Sequence, residues 1–352
     1  MISAGRPPAE LALQHASPFG AAGTTQTLRI PRKDLSARLA HKGGCMAKKV
    51  LTALVLLVTA ASSSAASLTV KCGGRGEEGF RSISAALAHL SPFGSNTVTV
   101  YGACNENVVI QGIDRLTLIA APGASISDAS AGNANVIDIS DSQRVTIQGF
   151  TINGGADGVD CHNHSFCHFS GNTIQGSAGD GVSVRDSQAD FSGDVLQNHA
   201  GAGLSVAIKG LVSIAFATLQ GNAFGGADVA DGASLEIYGN NTIKDNPGPG
   251  VFVTGGSRLR VFGGVITGNS GDGVGLADGS TATFVSFFSN VVISLNTGHG
   301  VSVGNLSFAN FAPGITVSGN LPGPDVLCYA KFSATSGAQT NLGGGTTNCT
   351  DS

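Results

Sequence analysis

Four aspartates, a histidine and an arginine stand where they could act together: Asp138, Asp157, Asp160, Asp180, His162 and Arg185. Asp138 and Asp160 lie 22 residues apart, and Asp157 and Asp180 lie 23 apart. If the chain repeats at that period, each pair stacks on neighbouring turns about 4.8 Å apart, the spacing of adjacent strands. Carboxylates so close raise one another's proton affinity. A carboxyl that keeps its proton can serve as a general acid, and retaining glycosidases hold their pair about 5–5.5 Å apart. The same oxygens suit Ca2+ as an alternative. The competing reading is structural. Asp before Gly is ordinary turn chemistry, and Asp138 and Asp160 could be no more than solvated side chains. Stacking like charges carries a cost, which keeps the functional reading open. There is no nucleotide loop, HExxH or GxSxG motif, so no cofactor is expected beyond the Ca2+ alternative.

The elements that must position these residues show as a repeat. A glycine precedes a short apolar strand at Gly158, Gly181, Gly203, Gly226, Gly250, Gly273 and Gly300, in steps of 23, 22, 23, 24, 23 and 27 residues. Triplets such as Val182-Ser183-Val184 and Val251-Phe252-Val253 follow them. This is the period of two of a strand with one buried face. Asn198, Asn222, Asn246, Asn269, Asn296 and Asn320 end other short strands. Asn tolerates left-handed backbone, and stacked on successive turns such residues form an amide ladder. A period near 23 with two or three strands per turn predicts a parallel solenoid, because one turn cannot bury its own apolar face. Leucine-rich repeats share the length but need a Leu consensus that is missing. About ten coils fit between Thr97 and Asn320. Aligning them puts Asp138, Asp160, Ser183, Ser205 and Asp228 in one outward column, and Ser140, His162, Arg185, Ala207 and Ala230 in the next.

With repeats such as Ser177-Ala178-Gly179-Asp180-Gly181-Val182-Ser183-Val184, the chain resembles the right-handed parallel β-helix family of the pectin-lyase-like superfamily over about residues 70–325. The resemblance implies an all-β fold: a right-handed parallel β-helix with a short N-terminal capping helix. Phe80 to Leu90 has apolar residues at helical spacing and is the expected cap. Gly298-His299-Gly300 is similar to the GHG segment of polygalacturonases, and Gly155 to Asp160 to their NTDG-type segment. The double Asp of that family is absent on the next coil. His299 lies about five coils, or roughly 24 Å, beyond Asp180, so one site cannot span them. Asp272 and His299 remain as a minor second pair on adjacent coils.

Targeting signals bound the fold. Residues 1–45 read as an extension without periodicity. Residues 46–66 read as a signal peptide: Met46, then Lys48 and Lys49, the apolar run Leu51 to Ala61, and Ser64-Ala65-Ala66 for cleavage. An N-terminal anchor is the alternative, but the run is short for a membrane span. Residues 67–96 are then an N-terminal cap, 97–325 the β-helix and 326–352 a C-terminal cap or tail. Six cysteines follow the signal peptide, and an even count after export suits disulfides. Sequence order suggests Cys72–Cys104, Cys161–Cys167 and Cys328–Cys349, one of fifteen pairings, with zinc ligation as the rival. Charged residues are 12% of the 352 and the net charge is -4, with no basic run, so nucleic acid is not an expected partner. A secreted, periplasmic or cell-surface protein that contacts polysaccharide or cell-surface glycan, and is not embedded in a membrane, is the first expectation. A polysaccharide lyase, glycoside hydrolase or epimerase acting on acidic sugars is the alternative, and a structural or adhesive rod the third. An enzyme should wall its site with long loops, for which steps of 22–24 leave little room, except the longer step between Gly273 and Gly300. With no Trp and 3 Tyr, a stacking platform for sugars is thin; Phe252, Phe287 and Phe288 are its candidates.

Overall fold

The computed structural model describes residues 65–74, 78–329 and 333–352. The expected extension, Cys45 and almost all of the expected signal peptide lie outside the described residues. No helix among the described residues is long and apolar enough to cross a membrane.

Each short strand buries alternate residues and turns the others outward. One coil runs through Phe166–Ser170, Thr173–Gln175 and Val182–Arg185. Each of the three pairs in parallel with its counterpart one coil later: Phe166 with Gln188, Thr173 with Val195, Val182 with Leu204. Repetition builds a sheet of twelve strands and two of ten. The ten-stranded sheet that includes Val182–Arg185 is called the glycine-led sheet here, because a glycine enters most of its strands. This is the expected parallel β-helix, and it has three strands per coil.

The core is a set of columns. Ile137, Val159, Val182, Leu204, Ala227, Val251, Val274, Val301 and Val326 follow one another down the glycine-led sheet, all buried. A fully buried Val or Ile contributes about 1.5–3 kcal/mol, and it does so only because the next coil covers it. On the twelve-stranded sheet Phe169 stacks on Phe191 and Phe284 on Phe311, at 4.7 and 5.1 Å between ring centroids. The entry glycines follow from close approach. A Cβ on Gly158 would lie 2.6 Å from the Gly181 carbonyl, and one on Gly181 would lie 2.5 Å from that of Gly203.

A polar ladder closes one corner. The side-chain amide of Asn222 donates to Asn246 Oδ1, Asn246 to Asn269, Asn269 to Asn296, and Asn296 to Asn320, at 2.8–3.1 Å. Asn198 does not join it. It is exposed with φ 59°, and the rung before Asn222 is His199.

The first strand, Ser67–Lys71, pairs with Asn96–Tyr101, and a five-residue helix, Ile83–Leu87, stands beside it. Ser82 caps that helix, and Glu106 accepts from the amides of Ile83 and Ser84, so its first N–H groups are satisfied. Cys72–Cys104, Cys161–Cys167 and Cys328–Cys349 are disulfides, which removes the zinc alternative for these cysteines.

Candidate functional site

The register of the glycine-led sheet sets Asp138, Asp160, Ser183, Ser205 and Asp228 side by side across five coils. His162 stands between Ser140 and Arg185 in the adjoining column. Residues two apart on a strand share a face, so Asp160 and His162 point the same way. His162 Nε2 lies 3.2 Å from Asp138 Oδ1, and the Asn135 amide reaches Asp138 Oδ2 at 3.4 Å. Asp160 is not a solvated carboxylate: it is 3% exposed, and its Oδ2 accepts from the Arg185 guanidinium. Its Oδ1 is also buried and has no hydrogen-bond partner. Cys161, between the two outward residues, points inward and is tied to Cys167.

Asp157 and Asp180 lie at the turn before each entry glycine, within electrostatic reach of this column. Asp157 Oδ1 accepts the amide of Asp180 at 2.8 Å, and Asp180 Oδ1 accepts that of Ala202 at 2.7 Å. Asp272 accepts the amide of His299 in the same way at 2.7 Å. One arrangement therefore recurs on three coils, a carboxylate holding the backbone of the next turn. Burial pushes the carboxyls of Asp157 and Asp180 up, and the Asp180 and Asp160 charges add to the rise at Asp157. Burial raises Asp228 also, with a contribution from the Asp180 charge. The expected Asp272–His299 side-chain pair does not form, because the His299 ring turns to the Pro324 carbonyl, 2.7 Å from Nδ1.

One wall went unforeseen. Residues 128–136 form an irregular segment between Ser125–Ser127 and Ile137–Ser140 that brings Asn135 onto the cluster. Asp128 organises it, accepting from the Ser130 hydroxyl, the Asn107 amide, Ser130 N and Gly132 N, which hold its carboxyl far below the usual range.

A second polar surface lies on the outer face of the twelve-stranded sheet. Gln188, Asp190, Ser213, Ser234, Glu236 and Tyr238 line a shallow groove there. Ser213 donates to Asp190 at 2.6 Å, Arg260 to Glu236 at 2.8 Å, and the Tyr238 hydroxyl also donates to Glu236. Burial, and donation to Glu236, push the Tyr238 hydroxyl up to about 12. The groove ends at an aromatic corner. Tyr238 stacks on Phe262 at 5.0 Å with the planes 8° apart, and Phe288 stands edge-on to both. Phe287 lies edge-on to Phe288, and Arg260 covers the Phe262 ring at 4.7 Å.

The family model for the right handed beta helix region matches residues 135–289 and 196–322, more than half of the chain. The chain belongs to the right-handed β-helix family. Among solved structures, this β-helix protein is similar to a pectate lyase, Pel9A, with a TM-score of 0.52 and 12% identity over 80% of this chain and 81% of that one. It is also similar to the A-module of the mannuronan C-5 epimerase AlgE4 of Azotobacter vinelandii, with a TM-score of 0.51 and 13% identity over 77% and 84%. Identity this low carries the fold. No curated protein matches the chain.

Of the stacking candidates in the sequence, Phe287 and Phe288 stand at this corner and Phe252 lies on the glycine-led sheet, while Tyr238, Phe262 and Arg260 complete the corner without having been expected there. A signal for them was present: Tyr238 and Phe262 fall one coil apart at matching ends of Ser234–Tyr238 and Arg258–Val261. The long step from Gly273 to Gly300 is the insertion that delivers Phe287 and Phe288.

Proposed function

We propose that this β-helix protein is exported and binds an extended polysaccharide along the groove of its twelve-stranded sheet, anchored at the aromatic corner. The stacked pair Tyr238–Phe262, beside the hydrogen-bonding column Asp190, Ser213, Glu236 and Arg260, carries the reading. Flat aromatic faces cover the apolar faces of sugar rings, and convergent polar groups select hydroxyls. A groove that crosses several coils suits a polymer more than a small ligand. The three disulfides fit an oxidising compartment. The names of the two solved structures, a pectate lyase and a mannuronan epimerase, favour uronate polymers as the first ligands to try. The test is affinity electrophoresis of the full chain in gels holding polyuronates or neutral glucans, beside Phe288→Ala and Tyr238→Ala. Retardation that both variants lose is expected. Absence of retardation in every gel, or retardation unchanged in both variants, overturns the proposal.

Catalysis is the second reading, favoured by the wall of residues 128–136 beside the acidic cluster and by the raised carboxyls of Asp157 and Asp180. In this reading a lyase, hydrolase or epimerase handles acidic sugars through Asp138, Asp157, Asp160, Asp180, His162 and Arg185. It requires release of unsaturated or reducing ends, or epimerised residues, from the same polyuronates. Asp160→Asn must abolish that release.

A further inference from the structure

We infer that Asp138, Asp160 and His162 form a binding site for a single divalent transition-metal ion of the zinc and manganese class. The inference is independent of the polysaccharide surface, which lies on another sheet.

Proximity is the first observation. One oxygen from each carboxylate and one ring nitrogen of His162 all lie within 4.8 Å of one another. Zinc ligands sit about 2.0–2.2 Å from the ion, so a small closing movement gathers the three around one centre. Asp138 and His162 have room for it, with side chains 32% and 23% exposed. Asp160 needs none, being fixed by the sheet register and by Arg185.

The second observation is the orphaned oxygen. Asp160 Oδ1 is buried without a hydrogen-bond partner, on a residue 3% exposed. A buried acceptor left unpaired costs about 1–3 kcal/mol, more when charged, and such groups call for an explanation such as an ion. Arg185 occupies Oδ2 and thereby leaves Oδ1 as the free ligand atom. A partner that orients a ligating carboxylate in this way is the usual second layer of a metal site.

The donor set then selects the ion. Ca2+ takes six to eight oxygen ligands. Here the protein offers two carboxylates and an imidazole, and imidazole suits zinc and its neighbours. Arg185 offsets the charge of Asp160 and leaves that of Asp138 to face the ion. That charge admits a divalent ion with water in the remaining positions. The Cys161–Cys167 disulfide anchors the strand between two ligands and limits how far they can spread.

The test titrates chelator-treated full-length protein with Zn2+, Mn2+ and Ca2+ by calorimetry, and with Co2+ by visible absorption. One ion per chain is expected at this site, with Ca2+ weaker than Zn2+ by about tenfold or more. His162→Gln and Asp138→Asn each weaken that binding by about tenfold or more, while His164→Gln, an exposed neighbour paired with Asp186, leaves it unchanged. Circular dichroism melts show whether each variant is folded, and Asp138→Asn, at a half-buried position, serves if another variant unfolds. No binding by the parent chain, Zn2+ binding equal in parent and His162→Gln, or preference for Ca2+ overturns the inference.

Discussion

The backbone amide of His199 donates to the side-chain oxygen of Asn222, 3.2 Å away, so an imidazole stands on the rung before a run of asparagines. Its partners fix its tautomer. The Ser177 amide donates to Nδ1 at 3.1 Å, so Nδ1 must be unprotonated, and Nε2–H donates to the Ile174 carbonyl at 3.0 Å. Burial lowers the ring from 6.5 to about 4, against the Ile174 bond, which raises it. A proton bound by the unfolded chain but refused by the fold costs stability on acidification. The contribution of His199 is therefore complete above pH 6.5 and is lost as pH falls from 6.5 towards 4. At pH 5 the loss is about 2 kcal/mol. His199→Asn keeps a donor and an acceptor on the rung and removes the titration. Between pH 7.5 and 5 the variant should therefore change in stability by about 2 kcal/mol more favourably than the parent in urea unfolding. Equal pH dependence in both would show that His199 is protonated in the fold.

The interior of the ladder should be costlier to break than its ends. Asn269 Oδ1 accepts from both the backbone and side-chain amides of Asn246, at 3.2 and 2.8 Å. Asn269→Ala strands those two buried donors, at about 1–3 kcal/mol each. A loss of about 2–5 kcal/mol in urea unfolding is the expected result. Asn198→Ala, one residue off the ladder and exposed, strands no buried donor and should lose only what its left-handed backbone costs an alanine, about 1 kcal/mol.

Cys161–Cys167 closes a short loop, with a sequence separation of 6. Loop-closure entropy alone makes such a bridge worth about 2 kcal/mol. The double variant Cys161→Ala with Cys167→Ala should lose that amount, plus a packing loss from two buried positions. Polysaccharide retardation should survive, since the aromatic corner lies on another sheet. Metal binding should weaken, because Asp160 and His162 flank Cys161. Loss of both properties together would point to unfolding rather than to local loosening.

The spacing of the entry glycines makes the fold legible, since each step of 22–27 residues returns the chain to a corner where no Cβ fits. It makes the columns legible too: Asp138, Asp160 and Ser183 lie in register because the sheet has one residue per rung. What side chains do on the outer face is less legible. Asp157 and Asp160 are three residues apart, yet one holds the next turn's backbone and the other pairs with Arg185. That difference depends on side-chain reach, not on period. Residues 128–136 precede the glycine run, so the period could not show the wall they build. His199 was hidden because it breaks the Asn pattern while keeping the ladder's hydrogen bonds.

Asp194 reverses the sign found at His199. It is fully buried at another corner, where Oδ1 accepts two donors from Asn172 and Oδ2 accepts the Ser192 amide. Burial nevertheless raises its carboxyl from 3.8 to about 6, outweighing those bonds. The fold then binds a proton that the unfolded chain releases, so its contribution grows as pH falls through 6 towards 3.8. At neutral pH the buried charge costs on the order of 3 kcal/mol. Asp194→Asn removes that charge and gives up about 1 kcal/mol through the lost Ser192 acceptor. A gain of about 1–2 kcal/mol at pH 7.5, fading towards pH 4.5, is the expected outcome of urea titrations. Destabilisation at pH 7.5 would mean that the three donors hold the carboxylate ionised in the fold. Because His199 and Asp194 oppose one another between pH 4 and 6, the parent's own pH profile can look flat. The two single variants are needed to expose both slopes.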